Sequence, residues 1–176
     1  MTNDASASAR FALATRTLAH FDLLNFVDAV RGLGPLEVAE ALDELYHLCH
    51  DAFAAEGGRV IKHLGDAVLG VFPDESDVAA AVRAFHRIEA ALDDHVLARR
   101  AGGRTGLRGS IHVGEVAEGS FGPEGAADVI GAEVNTLFMI AGPRRLVLSE
   151  RAYRRLPNEA RGAFHKRPSP TVYLAD

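Results

Sequence analysis

The stretch Lys62-His63-Leu64-Gly65-Asp66-Ala67-Val68-Leu69-Gly70-Val71-Phe72 sets an acid at a Gly-Asp turn between two short strand-like runs, Arg59 to Leu64 and Ala67 to Phe72. An ionised carboxylate at the mouth of a core is costly unless something pairs with it. A second acid sits in the same kind of place, in Phe21-Asp22-Leu23-Leu24-Asn25-Phe26, at the end of a strand-like stretch that begins near Phe11. Two such acids converging at the ends of adjacent strands make a site for divalent cations, and two-metal sites usually handle phosphates. Asp22 and Asp66 are therefore the leading candidates for function.

Outward from this pair, the pattern alternates strands and helices. A strand from about Phe11 to Asp22 leads into a short helical segment over Asn25 to Val30. Pro35 suits a first helical turn, and Leu36, Ala39, Leu42, Leu45, Tyr46, Cys49 and Phe53 recur at helical spacing until Gly57-Gly58. The hairpin follows, and then a second long helix that starts after Asp74 and Asp77, with Val78, Ala81, Val82, Phe85, Ile88 and Leu92 on its apolar face. A break at Ala101-Gly102-Gly103 precedes a strand from Leu107 to Val116. Beyond it a loop with Gly119, Gly122 and Gly125 leads to a short helix from about Glu133 to Ile140. The strand Leu146–Leu148, a helix capped by Ser149, and two strands over Ala163 to Lys166 and Thr171 to Leu174 complete the chain. This order predicts an α+β sandwich, with helices packed against one antiparallel-rich sheet.

Composition narrows the function. The 176 residues are 48% hydrophobic and 24% charged, enough for one ordinary domain with a core, residues 1–9 reading as a loose tail. A formal net charge of −5 argues against a nucleic-acid partner, which normally meets a basic face. No apolar run approaches the roughly 20 residues of a membrane span, and the first nine residues lack the features of a secretion signal. Cys49, the single cysteine, reads as a buried helix residue and fits a reducing, cytoplasmic setting.

At five places the sequence resembles the catalytic domain of class III nucleotidyl cyclases, over about Phe11 to Leu174. Asp22-Leu23-Leu24-Asn25-Phe26 resembles the first metal motif, an Asp followed four residues later by Phe. Lys62-His63-Leu64-Gly65-Asp66 resembles the Lys-x-x-Gly-Asp hairpin, and Gly109-Ser110-Ile111-His112-Val113-Gly114 the Gly-Ile-His-x-Gly strand. Asp128-Val129-Ile130-Gly131 with Val134-Asn135 resembles the Asp-x-x-Gly-x-x-Val-Asn segment, and Lys166 the late Lys before the closing strand. Five motifs in order, with sensible spacing, carry a weight that none carries alone.

The resemblance implies a ferredoxin-like sandwich and conversion of ATP to cyclic AMP and pyrophosphate by two-metal catalysis. Asp22 and Asp66, with the Leu23 carbonyl, are expected to hold two Mg²⁺ or Mn²⁺ ions. Backbone amides around Asn25 and Phe26 are expected to cradle phosphate oxygens. Lys62 and Asp128 are the expected base readers: a Lys donor and an Asp acceptor suit adenine N1 and its 6-amino group, and oppose guanine. Asn135 is expected to orient the ribose and Lys166 to pair with the terminal phosphates, whereas His112 is expected to be structural. The family draws metal residues and base readers from opposite subunits, so a homodimer is implied. No sensor segment is evident, so regulation is expected from a separate protein or from the dimer equilibrium.

One departure weighs against ordinary turnover. Four residues after Asn135, where the family places an Arg against the α-phosphate, stands Met139. Losing one preorganised donor to a transition-state oxyanion costs about 10²–10³ in rate, and a phosphoryl-transfer Arg can be worth about 10³–10⁵. A slow adenylate cyclase is one expectation. A cyclase-like nucleotide-binding or regulatory module without turnover is another, and a cyclase for another nucleotide a third. Arg144 or Arg145, in the next turn, are the cations that could replace the missing one.

Overall fold

The computed structural model describes residues 10–100, 105–142 and 145–175. The elements run β1 (Phe11–Leu23), α1 (Phe26–Ala29), α2 (Pro35–Ala55), β2 (Arg59–Leu64), β3 (Ala67–Phe72), α3 (Val78–Leu92), α4 (Val96–Arg100), β4 (Leu107–Phe121), β5 (Ala126–Ile130), α5 (Ala132–Met139), β6 (Leu146–Ser149), α6 (Glu150–Arg155), α7 (Asn158–Arg161), β7 (Phe164–Pro168) and β8 (Thr171–Ala175). The sheet order is β2-β3-β1-β4-β6-β8-β7, with β5 on β4. Each of its first four strands runs antiparallel to its neighbours, and their connections carry α2 and α3, the ferredoxin-like arrangement that was expected. The strand β6 adds parallel to β4 through Gly109–Ile111.

Local chemistry explains most boundaries. Pro35 opens α2 after Gly34, whose N–H donates to the Glu37 carboxylate at 2.7 Å. Ser149 caps α6 by accepting from the Ala152 N–H at 3.1 Å. The β2–β3 turn has two residues, and Gly65 occupies the first at φ 69°, a conformation costly for a side chain. Every residue of β3 is buried, because the strand is covered on both faces. Gly70 is dictated by packing: a Cβ there would meet the Phe53 ring at 2.1 Å.

The structure departs from the sequence reading beyond Val116. The strand β4 runs on to Phe121, and the predicted Gly-rich loop is a hairpin whose second arm is β5. Gly122 and Gly125, at φ 71° and 67°, flank its turn. Ala126-Ala127-Asp128-Val129-Ile130 is short and weakly alternating, so its strand character comes from pairing with β4 rather than from propensity. The short helices α4 and α7 also went unpredicted; each is about one turn, too short for periodicity to register.

The main core lies between the sheet and the α2/α3 layer, built on Phe21, Phe53, Phe72, Phe85 and Ile88. A smaller one, Leu18, Leu69, Val71, Val116, Val129 and Leu137, fills the opposite face under β5 and α5. Along β1, Ala19, Phe21 and Leu23 enter the first core while Leu18 enters the second. His20 meets Phe138 of α5 edge-on at 4.7 Å on that second face. Strand alternation then puts Asp22 on the face of Leu18 and His20. Among the described residues no helix is long and apolar enough to cross a membrane.

Candidate functional site

Asp22 pairs in register with Ala67 on β3 and with Arg108 on β4, which puts it beside the turn that carries Asp66. It is only 8% exposed. Burial pushes the Asp66 carboxyl up to about 6, and the negative charge of Asp22, together with the hydrogen bond that protonated Asp66 donates to it, pushes the same way. The two acids therefore meet in one cleft beside the β2–β3 turn. Crowded like charges of this kind are what a divalent cation relieves, and the carboxylate and carbonyl oxygens on offer suit Mg²⁺ or Mn²⁺. Among the described residues no group of three or more His, Cys, Asp or Glu side chains gathers, so any further oxygen must come from the backbone, water or a ligand.

Sequence reasoning missed Arg108. Its Nε donates to Asp22 Oδ2 at 2.7 Å, and Nη2 donates to the same oxygen. This guanidinium balances the most buried acid of the site, and it is 40% exposed, so it can leave without stranding a buried cation. Its only sequence signal was a lone charge between Leu107 and Gly109, at the start of an apolar strand.

A pocket of about 330 Å³ opens beside the pair, lined by Leu23, Asn25, Phe26, Val27, Asp28, Asp66 and Arg108. Asn25 adopts φ 58° and turns the chain out of β1. Its carbonyl accepts from the Asp28 and Ala29 amides, so Phe26 opens the single turn of α1 at the pocket wall. Leu23, Asn25 and Phe26 are thus gathered around Asp66.

Lys62 and Asp128 form a second cluster. Lys62 Nζ donates to Asp128 Oδ2 at 2.6 Å, joining β2 to β5 across 66 residues of chain. Asp128 Oδ1 accepts from the Val129 amide at 2.7 Å, which orients the carboxylate. Donor and acceptor stand side by side on the second face of the sheet. Among the described residues no ion pair or hydrogen bond links this cluster to the Asp22/Asp66 cleft.

The remaining predicted residues are dispersed. Asn135 is exposed on α5, and Met139, at its end, is 82% exposed. Lys166 is exposed on the edge strand β7, separated from β4 by β6 and β8. The Arg145 guanidinium donates to the Ala175 carbonyl at 2.9 Å, so it is engaged at the end of β8; Arg144 lies outside the described residues. His112 is buried in the sheet, with Nε2 2.7 Å from Glu133 of α5. Burial raises the Cys49 thiol to about 12, which leaves it unreactive.

No protein-family model matches the sequence, and no curated protein matches it. Solved structures do match. The guanylyl cyclase Cya2 is 21% identical, with 94% of this chain aligned to 93% of that one at a TM-score of 0.76. The adenylyl cyclase CyaB from P. aeruginosa is 18% identical, with 94% and 95% covered and a TM-score of 0.77. A bacterial light-regulated adenylyl cyclase is 19% identical at a TM-score of 0.79; 94% of this chain aligns to 52% of that one, so the chain spans about half its length. The chain has the fold of the catalytic domains of class III adenylyl and guanylyl cyclases.

Proposed function

We propose that the protein is a slow adenylate cyclase that converts ATP to cyclic AMP and pyrophosphate. The observation that carries this reading is the meeting of Asp22 and Asp66 in one cleft beside a pocket with a single arginine. Asp22, Asp66 and the Leu23 carbonyl would hold two divalent ions, Mg²⁺ or Mn²⁺. When bound, such ions lower the pKa of the ribose 3′-hydroxyl and neutralise the leaving pyrophosphate. With its Asp22 partner given over to such ions, Arg108 would be free to meet the triphosphate, and the amides around Asn25 and Phe26 would donate to phosphate oxygens.

The Lys62–Asp128 pair reads the base. At rest the ammonium and the carboxylate satisfy each other at 2.6 Å. Adenine exchanges that bond for two, with Lys62 donating to N1 and Asp128 accepting from the 6-amino group. Guanine would set a donor against a donor, so ATP is the favoured substrate.

Within one protomer no ion pair or hydrogen bond among the described residues joins the two clusters, and a complete site would join the Asp22/Asp66 cleft of one copy to Lys62, Asp128 and Asn135 of a second. Lys166 is assigned to the terminal phosphates. Ile130 at 51%, Phe138 at 37% and Met139 at 82% exposure supply apolar surface on the second face for that contact.

Met139 favours a second reading: a nucleotide-binding or regulatory module without turnover. It offers neither charge nor hydrogen bond where the developing α-phosphate charge needs one. Purified protein with Mn²⁺ and ATP separates the two. Cyclic AMP that disappears in Asp66→Ala supports the cyclase. Tight ATP binding with no product supports the module, and product from GTP, CTP or UTP alone overturns the base assignment.

A further inference from the structure

Three rings meet where α2 crosses the β2–β3 hairpin. His50 projects from α2 and His63 from β2, with their Nε2 atoms 3.1 Å apart and ring planes at 54°. Tyr46, one turn before His50, stacks on His63 at 3.9 Å and donates its hydroxyl to the Gly65 carbonyl at 2.7 Å. Both histidines are exposed. Two neutral imidazoles facing each other this way can share only one N–H···N bond, and only in complementary tautomers.

A metal ion uses both nitrogens at once. With metal–nitrogen bonds of about 2.0–2.1 Å, a separation of 3.1 Å between the nitrogens subtends roughly 100° at the ion. That lies between the octahedral and tetrahedral angles. Imidazole nitrogen favours Zn²⁺, Cu²⁺ and Ni²⁺, whereas Mg²⁺ goes to oxygen. Partial desolvation and the neighbouring His50 hold His63 below its usual range, which keeps its lone pair available.

We propose that His50 and His63 form a two-histidine site for Zn²⁺, separate from the acidic cleft, with the remaining positions left to water. Ion capture here ties α2 to the hairpin whose turn carries Asp66, three residues beyond His63. It needs nothing from the nucleotide site, so it holds whether or not the protein turns ATP over.

Untagged protein in excess Mg²⁺, which saturates the carboxylates, is titrated with Zn²⁺ by calorimetry. One equivalent is expected that is lost in both His50→Gln and His63→Gln and kept in Asp66→Ala and in His47→Gln. Cu²⁺ is expected to quench tyrosine fluorescence in the wild type, with much of the quenching gone in Tyr46→Phe. Zinc retained by both His50→Gln and His63→Gln overturns the site, as does an equivalent lost only in Asp66→Ala, which would put the ion on the acids.

Discussion

The two faces of the sheet are filled on different terms. Under α2 and α3 the contents are apolar, with Phe21 packed on Phe53 and on Phe85, each at 5.3 Å, and Phe53 stacked on Phe72. On the other face a smaller buried apolar cluster shares the space with His20, Asp22, Lys62, His112 and Asp128. Most of the polar groups there are held by ion pairs or hydrogen bonds, Asp22 by Arg108, Lys62 by Asp128 and His112 by Glu133, whereas His20 is held by its ring contact with Phe138. Replacing such pairs by packed apolar groups is often neutral or stabilising. Their retention on this face is what the proposed nucleotide chemistry would account for, while the opposite face is packed with apolar groups.

The sharpest test of that division is one truncation on each side. Phe53→Ala empties the center of the first core and should cost about 3–5 kcal/mol in urea unfolding. Met139→Ala on the second face should stay within about 0.5 kcal/mol. Comparable losses would show that the second face also carries stability.

Installing the absent cation is the next largest effect. Met139→Arg should raise cyclic AMP formation by up to about 10²–10³, the worth of one preorganised donor, in a Mn²⁺-ATP assay. An unchanged rate would mean that the end of α5 does not aim at the phosphates.

A smaller change is expected at the base readers. Lys62→Glu sets two carboxylates against each other and removes the donor to adenine N1. The ATP-to-GTP ratio of kcat/KM should fall about tenfold or more, as for a lost hydrogen bond to a charged group. Equal loss for both nucleotides would make Lys62 a purely structural partner of Asp128.

The smallest effect concerns pH. The Asp66 carboxyl titrates near 6 in the fold against 3.8 ordinarily. The folded state thus holds the proton more tightly, and the stability this brings is present below about 4 and lost as pH rises through about 6. Asp66→Asn removes the charged form, so its melting midpoint should exceed that of the wild type above about 6, by about 2–4 °C for each kcal/mol relieved. At pH 4 the gap should close. A constant offset across this range would assign the difference to packing.

Much of this was legible before the coordinates. The apolar period along α2 and α3, Pro35, the Gly65-Asp66 turn and the Ser149 cap are local devices, and each sits where its chemistry predicts. Asp22 and Asp66 stood out because a charge inside an apolar run needs a reason. Arg108 stood out far less, since a single arginine at a strand start is ordinary surface chemistry until the strand beside it is known. The strand that carries Asp128 was not foreseen, because nothing in Ala126–Ile130 alternates strongly enough to announce one.

The sequence by itself determined the order of the elements other than β5, α4 and α7, and singled out the two acids, because periodicity, turn residues and isolated charges act over a few neighbouring positions. Only the tertiary structure decided that Arg108 covers Asp22 across 86 residues, that β5 pairs with β4, and that Lys62 meets Asp128 across 66. Such pairings depend on which strands lie side by side and in what register, and those are properties of the closed sheet that no short stretch of chain encodes.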